Sequence, residues 1–179
     1  MQTIDCIKSR RSIRKFTEEP VDRAILEKIV DAASFAPSWK NTQIVRYIAI
    51  EDKALKDRIA KECTTGFTYN ANAMESAPVL IAVTVIKGRS GYERDGSFTT
   101  NRKDTWQMFD AGIASQTFCL AAHEYGLGTV IMGIFDDSLS EVLEIPEDRE
   151  LVNLICIGHP AEAPEAPKRK TVEDLLSFK

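Results

Sequence analysis

The stretch Pro78–Ile86 reads PVLIAVTVI, with Thr84 its one polar side chain. A run this short and this rich in β-branched residues is a strand. A half-exposed strand alternates apolar and polar positions, and this one does not, so both of its faces are expected to be buried.

Three more segments share its character. IVRYIAI (Ile44–Ile50), TVIMG (Thr129–Gly133) and LVNLICIG (Leu151–Gly158) complete a sheet of about four strands. Helical patterns fill the intervals. Ile4 and Ile7 share one face of a short helix over Thr3–Arg10, with Thr3 placed to cap it. Asp22 opens a helix carrying Ile25, Leu26, Ile29, Val30 and Ala33, and Pro37 follows its end. Asp52 opens a third helix to about Glu62, and a fourth covers Asn70–Ser76.

Asp104–Tyr125 is a long helical stretch closed by Gly126. Trp106, Phe109, Ile113, Thr117, Leu120 and Ala121 mark one apolar face of it, while Met108, Ala114 and Phe118 lie off that face. So wide an apolar surface predicts a helix buried all round, as at a subunit interface. Ser138 is expected to cap a short helix with Leu139, Val142 and Leu143. HPAEAPEAPKRK (His159–Lys170) is a proline-rich extended arm, and Thr171 with Asp174 form a capping box for a last helix, Val172–Leu176. Lys87–Lys103 is polar, carries three glycines and reads as a mobile loop. These elements form one α+β or α/β domain over residues 1–179; their order alone does not say whether the strands are parallel.

At 179 residues, 44% hydrophobic and 28% charged, the chain has the composition of a soluble globular domain. It has no apolar run of ~18 residues to span a membrane, and MQTIDCIKSRR lacks the apolar centre of a signal peptide. Cys6, Cys63, Cys119 and Cys156 lie far apart with no C-x-x-C pair, which predicts free thiols in a reducing cytoplasm. His123 and His159 show no metal-ligand spacing, and no metal site is expected.

The net charge is −4, yet SRRSIRKF (Ser9–Phe16) packs Arg10, Arg11 and Arg14 into five positions. A solvated charged turn is one reading. Nucleic acid would need a basic face covering many phosphates, which an acidic chain without a recognition-helix pattern does not offer. The third reading is a small phosphorylated anion, since guanidinium forks suit phosphate and a second basic cluster, Lys168–Lys170, sits on the arm. Neither G-x-G-x-x-G nor G-x-x-x-x-G-K-[ST] occurs, so side chains would have to hold that phosphate.

Taken together, SRRSIRKF, AASFAPSWKNTQ, GLGTVIMG and GHPAEAPEAPKRKTVEDL, in that order and spacing, resemble the nitroreductase family of FMN-dependent oxidoreductases. The resemblance covers nearly the whole chain. It implies an α+β fold with a central sheet of about four or five strands flanked by helices. It also implies a homodimer with an extended C-terminal arm and FMN at the subunit interface. Turnover would have two steps, with NADH or NADPH as reductant and a nitroaromatic, quinone or related small-molecule acceptor.

By the same resemblance, Arg10 binds the FMN phosphate, Ser12 hydrogen-bonds near the phosphate or ribityl chain, and Arg14 reaches the ribityl and pyrimidine side. A cation there stabilises the charge of the reduced ring. Arg11 belongs to the same motif, with a surface role equally open. Pro37, Ser38 and Trp39 border the ring from the other subunit, and Asn41 and Gln43 supply amide hydrogen bonds. Here the sequence departs from the family: Ile44 replaces the usual proline, and Trp39 stands where smaller residues are common. Trp39 packs on the ring, walls the substrate pocket or fills core. Ile131, Met132 and Gly133 lie along the ring face, with a backbone N–H near N5 and Gly133 allowing close approach. Lys168 and Arg169 match the arm's phosphate contact. No side chain is expected to act as acid or base, because the flavin carries the chemistry. Two alternatives are another flavin chemistry on the same fold, such as reductive dehalogenation, and a non-enzymatic anion-binding or regulatory protein.

Overall fold

The computed structural model describes residues 2–179. Its elements run α1 (Thr3–Ser9), α2 (Arg23–Ser34), β1 (Val45–Ile50), α3 (Lys53–Glu62), α4 (Thr68–Ser76) and β2 (Val79–Ile86). They continue α5 (Thr105–Glu124), β3 (Gly128–Met132), α6 (Ser138–Val142), β4 (Arg149–Gly158) and α7 (Val172–Leu175). The strands form one sheet in the order β1-β2-β4-β3, and every neighbouring pair is antiparallel. This settles the strand direction that the element order left open, and the fold is α+β.

β2 is buried from Val79 to Val85, as its composition predicts. Its alternate side chains feed two cores. Leu80 and Ala82 pack with Ile59, Met74 and Leu139 from α3, α4 and α6. Val79, Ile81 and Val83 pack with Leu26, Ile29, Phe118 and Ala122 from α2 and α5. An antiparallel sheet with helices on both sides is thus the middle of three layers. One extra residue, Val152, bulges from β4 where Val83 faces Asn153 and Thr84 faces Leu151.

Side-chain caps explain where α2, α3 and α7 begin. Asp22 Oδ1 accepts from the Ala24 N–H, and Asp52 Oδ1 from the Leu55 N–H, so both caps read from sequence are present. Thr171 and Asp174 make both hydrogen bonds of a capping box. Two expected caps are absent. Thr3 is the first residue inside α1, whose N-cap is Gln2, and Ser138 is the first residue of α6, whose N-cap is Asp137. Asp136 serves α6 instead, accepting from the Ser138 N–H at 3.0 Å. Gly126 ends α5 at φ 77°, with the Leu127 N–H reaching Ala122 O and the Gly126 N–H reaching His123 O, a Schellman closure.

The inward face of α5 is not the one its hydropathy suggests. Gln107, Asp110, Ala111, Ala114, Ser115, Phe118, Cys119 and Ala122 are buried, whereas Phe109 and Met108 are exposed and Ile113, Thr117 and Leu120 only half-buried. Polar residues on the inner face blur the pattern, and each is paired. Gln107 Oε1 accepts from the Gly88 N–H at 2.8 Å, and Ser115 Oγ accepts from Asn153 Nδ2 at 3.1 Å. Pairing of this kind is what makes buried polar groups tolerable.

Candidate functional site

Residues 10–17 leave α1 and run beside β3. Ser12 bridges Thr129 in parallel, and the Ile13 N–H donates to Thr129 O at 2.9 Å. Gly128 makes this approach possible: a Cβ there would lie 2.7 Å from Ile13 Cγ1. On its other side the segment takes up the start of the arm. The Thr17 N–H donates to His159 O, the Ala161 N–H to Lys15 O, and Phe16 bridges Pro160. The basic motif therefore lies against β3, whose last residues are Ile131 and Met132.

Each arginine of the motif has a distinct setting. Arg10 is the C-cap of α1 and half-buried; its Nε is buried with no hydrogen-bond partner among the described residues. Its charge reaches the C-terminal half of α5, where it helps hold the His123 imidazole below its ordinary value, after burial as the larger cause. Arg11 turns back on the helix end, Nη1 donating to Lys8 O at 2.7 Å and Arg10 O at 2.8 Å. Arg14 lays its guanidinium over the Tyr69 ring, 5.4 Å from the centroid, and the Arg14 backbone N–H donates to Glu162 Oε1 at 2.6 Å.

On β3, side chains alternate. Ile131 is 45% exposed, Met132 is in the core with its sulfur 3.7 Å from Cys156 Sγ, and Gly133 has open space where a Cβ would project. A ligand along this segment would meet the Ile131 side chain and the backbone at 132–133, not the Met132 side chain.

The second expected group lies elsewhere. Pro37, Ser38, Trp39, Asn41 and Gln43 precede β1, at the opposite edge of the sheet from β3. Three interstrand spacings of ~4.8 Å put the two edges roughly 14 Å apart. Around Trp39–Asn41 the chain makes a tight 3-10 turn in which Lys40, Asn41 and Gln43 all have positive φ, at 45°, 55° and 47°. Such conformations cost ~1–3 kcal/mol each for residues other than glycine. The surroundings hold them. Asp110 accepts from the Trp39 N–H, Ser38 Oγ accepts from the Gln43 N–H at 3.0 Å, and Lys40 pairs with Glu93 at 2.9 Å. Trp39 packs on Trp106 with centroids 4.6 Å apart. Beside this turn a cleft of about 770 Å³ opens between α2, β1 and α5, lined by Val30, Pro37, Gln43, Tyr47 and Phe118 among others.

The third group, Lys168 and Arg169, is exposed on the arm, where Arg169 donates to Pro167 O at 3.2 Å. Within one chain the structure thus joins Arg10–Arg14 to Ile131–Gly133 and leaves residues 37–43 and 168–169 apart from them. Sequence reading missed Asp110, which looks like one more charge on a helix, and Tyr69, whose contact with Arg14 spans 55 positions that no local pattern reports. The loop after β2 is tied at Tyr92–Phe98 by a bridge, and at Ser90, which is fully buried.

Burial raises the thiols of Cys6, Cys119 and Cys156 above their ordinary value, so they stay protonated and weakly nucleophilic. All four cysteines are unpaired. Among the described residues no cluster of His, Cys, Asp or Glu could hold a metal ion, and no helix is long and apolar enough to cross a membrane.

Residues 7–159 match the model of the Nitroreductase family. The FMN reductase (NAD(P)H) of Bacillus subtilis is 33% identical over 171 residues, 90% of this chain and 67% of that protein. A nitroreductase family protein from Clostridium novyi superposes with a TM-score of 0.79 at 30% identity, over 93% of this chain and 89% of its own. The NADPH:FMN oxidoreductase of Vibrio harveyi complexed with NAD+ gives 0.82 at 26% identity, over 98% and 76%. With the sheet order, the N-terminal basic segment on β3 and a match over most of its length, this chain belongs to the Nitroreductase family.

Proposed function

We propose that this protein binds FMN and uses NAD(P)H to reduce a nitroaromatic, a quinone or a related electron-poor small molecule. The observation that carries the reading is Arg10, with a buried, unpartnered Nε in a segment held against β3. A buried cationic donor without an acceptor is costly, and a phosphate would satisfy it with a charge-assisted bond. Open space at Gly133, on the same edge, leaves room for a planar group to approach the backbone. FMN, when bound, supplies the electron transfer. The chain's part is to fix the phosphate with Arg10, place the Arg14 cation near the ring, and present backbone N–H groups at residues 132–133.

Half of this site is missing from the β3 edge of a single chain. We place residues 37–43 and the arm's Lys168 and Arg169 on the site of a second copy, making a homodimer with two equivalent sites. Exposed aromatic rings are available for such a contact: Phe35 is 82% exposed, Phe109 58% and Phe178 90%. A cytoplasmic location fits the four unpaired cysteines.

The test is direct. Purified protein should be yellow, oxidise NADH or NADPH when given an acceptor, and sediment at twice the 20.0 kDa chain mass. Arg10→Ala should weaken FMN binding by about 1.5–3 kcal/mol while leaving riboflavin affinity almost unchanged. A colourless protein that cannot be reconstituted with FMN overturns the flavin assignment. A stable monomer holding stoichiometric FMN overturns the two-chain site.

A further inference from the structure

Asp110 is a buried carboxylate, 2% exposed, on the inner face of α5. No ion pair of the described residues includes it. It serves two donors from two other parts of the chain. The Trp39 N–H lies 3.1 Å from each of its oxygens, and the Ser90 hydroxyl donates to Oδ2 at 2.7 Å. Ser90 itself is fully buried. One side chain thus joins α5 to the turn before β1 and to the loop after β2.

That turn has three left-handed residues within four positions, Lys40, Asn41 and Gln43, none of them glycine. Something must hold it in this shape. Its other ties are weaker. The Lys40–Glu93 pair is half-exposed on both sides, and solvent screens it. The Ser38–Gln43 bond lies within the turn and moves with it. Asp110 is the one polar tie that is both buried and anchored in a long helix, and charged acceptors in such places make the strongest hydrogen bonds.

We propose that Asp110 is a positioning residue, fixing Ser38–Gln43 in the left-handed form that holds the Asn41 and Gln43 side chains in the open. Its bearing on catalysis rests on the reading above, in which this turn meets the flavin of a second copy. The choice of residue follows from the donors. Two donors converge on one side chain, and a carboxylate serves both, sharing its two oxygens with the Trp39 N–H while Oδ2 also accepts from Ser90. An amide of the same size offers one neutral acceptor: if it serves the Trp39 N–H, Ser90 must turn its hydroxyl to accept from the NH₂, and the charge-assisted strength of both bonds is lost. An apolar residue fills the space and accepts nothing.

Asp110→Asn is therefore the decisive variant, with Ser90→Ala as a milder second. Hydrogen exchange on the full-length protein should show the peptide spanning residues 35–44 exchanging at least tenfold faster in Asp110→Asn. Ser90→Ala should give a smaller change of the same sign, and β2 and β4 should stay protected in both. FMN titration of the same preparations should give a dissociation constant raised at least tenfold by Asp110→Asn. Wild-type protection of residues 35–44 in Asp110→Asn overturns the proposal. So does protection lost equally across β2 and β4, which would make Asp110 a general core residue. If wild-type protein takes up no FMN while Asp110→Asn still loosens the turn, the flavin reading fails and the positioning role stands. If wild-type protein binds FMN and Asp110→Asn binds it equally well, the role fails and the flavin reading stands.

Discussion

Along the β3 edge of the sheet, residues 12–13 hydrogen-bond to Thr129, and residues 15–17 in turn bind the arm at 159–161. Along the β1 edge, no strand of the described residues pairs outward, and the cleft between α2, β1 and α5 lies open beside it. Open strand edges invite pairing with another chain and are normally covered or blunted. One edge is sealed within the chain and the other is bare, and the bare one is where the proposed second copy would sit. The same division separates the two halves of the expected site.

Substitutions can break this comparison or sharpen it. The largest effect belongs to Phe118, fully buried and stacked on Tyr47 at 5.4 Å. Phe118→Ala should cost about 3–5 kcal/mol, measured by denaturant unfolding, at any protein concentration. A charge at Phe118 would therefore report on the core, not on assembly, whatever hydropathy suggests for that helix. Phe35→Ser tests the open side. It should cost about 1.5–3 kcal/mol if a second chain buries that ring, and the loss in Tm should grow on dilution. A silent Phe35→Ser at every concentration would leave the β1 side a solvent face. Gly128→Ala tests the sealed edge, since its methyl would press on Ile13; about 1–3 kcal/mol should be lost, without concentration dependence.

The smallest effect is in the pH profile. Burial, and then Arg10, hold His123 below its ordinary 6.5. Below pH 6.5 the unfolded chain takes up a proton that the native imidazole resists, so stability should fall as pH drops from about 6.5 through the lowered native value. His123→Gln should flatten that slope in thermal melts. Phosphate bound at Arg10 should offset the arginine's repulsion and raise the His123 pKa, visible by NMR titration with and without FMN. An unmoved His123 in the flavin-loaded protein would separate Arg10 from the phosphate.

Much of the fold was legible because its signals are local. Strands announce themselves by β-branched runs, and Asp22, Asp52 and the Thr171–Asp174 pair by cap chemistry. The order β1-β2-β4-β3 was not, because pairing between distant strands leaves no mark in either segment. The inner face of α5 was misread because Gln107, Asp110 and Ser115 occupy it, each paid for by a partner far along the chain. In the site, the arginine knot stood out against an acidic chain, whereas Asp110 did not, since its significance lies in two donors contributed by other elements.

The pairing of residues 14–17 with 159–162 also sets a timetable. Arg14 and Glu162 are 148 positions apart. At roughly 5–20 residues per second, a ribosome needs about 7–30 s to add the second after the first. Until β3 and β4 have been added, late in that interval, Ile13 and Phe16, both buried in the finished protein, have no strand to rest on. The arginine-bearing segment is thus the first part of the proposed site to be synthesised, and it waits on β3 and the arm for its backbone partners. Truncation at either end should loosen the other.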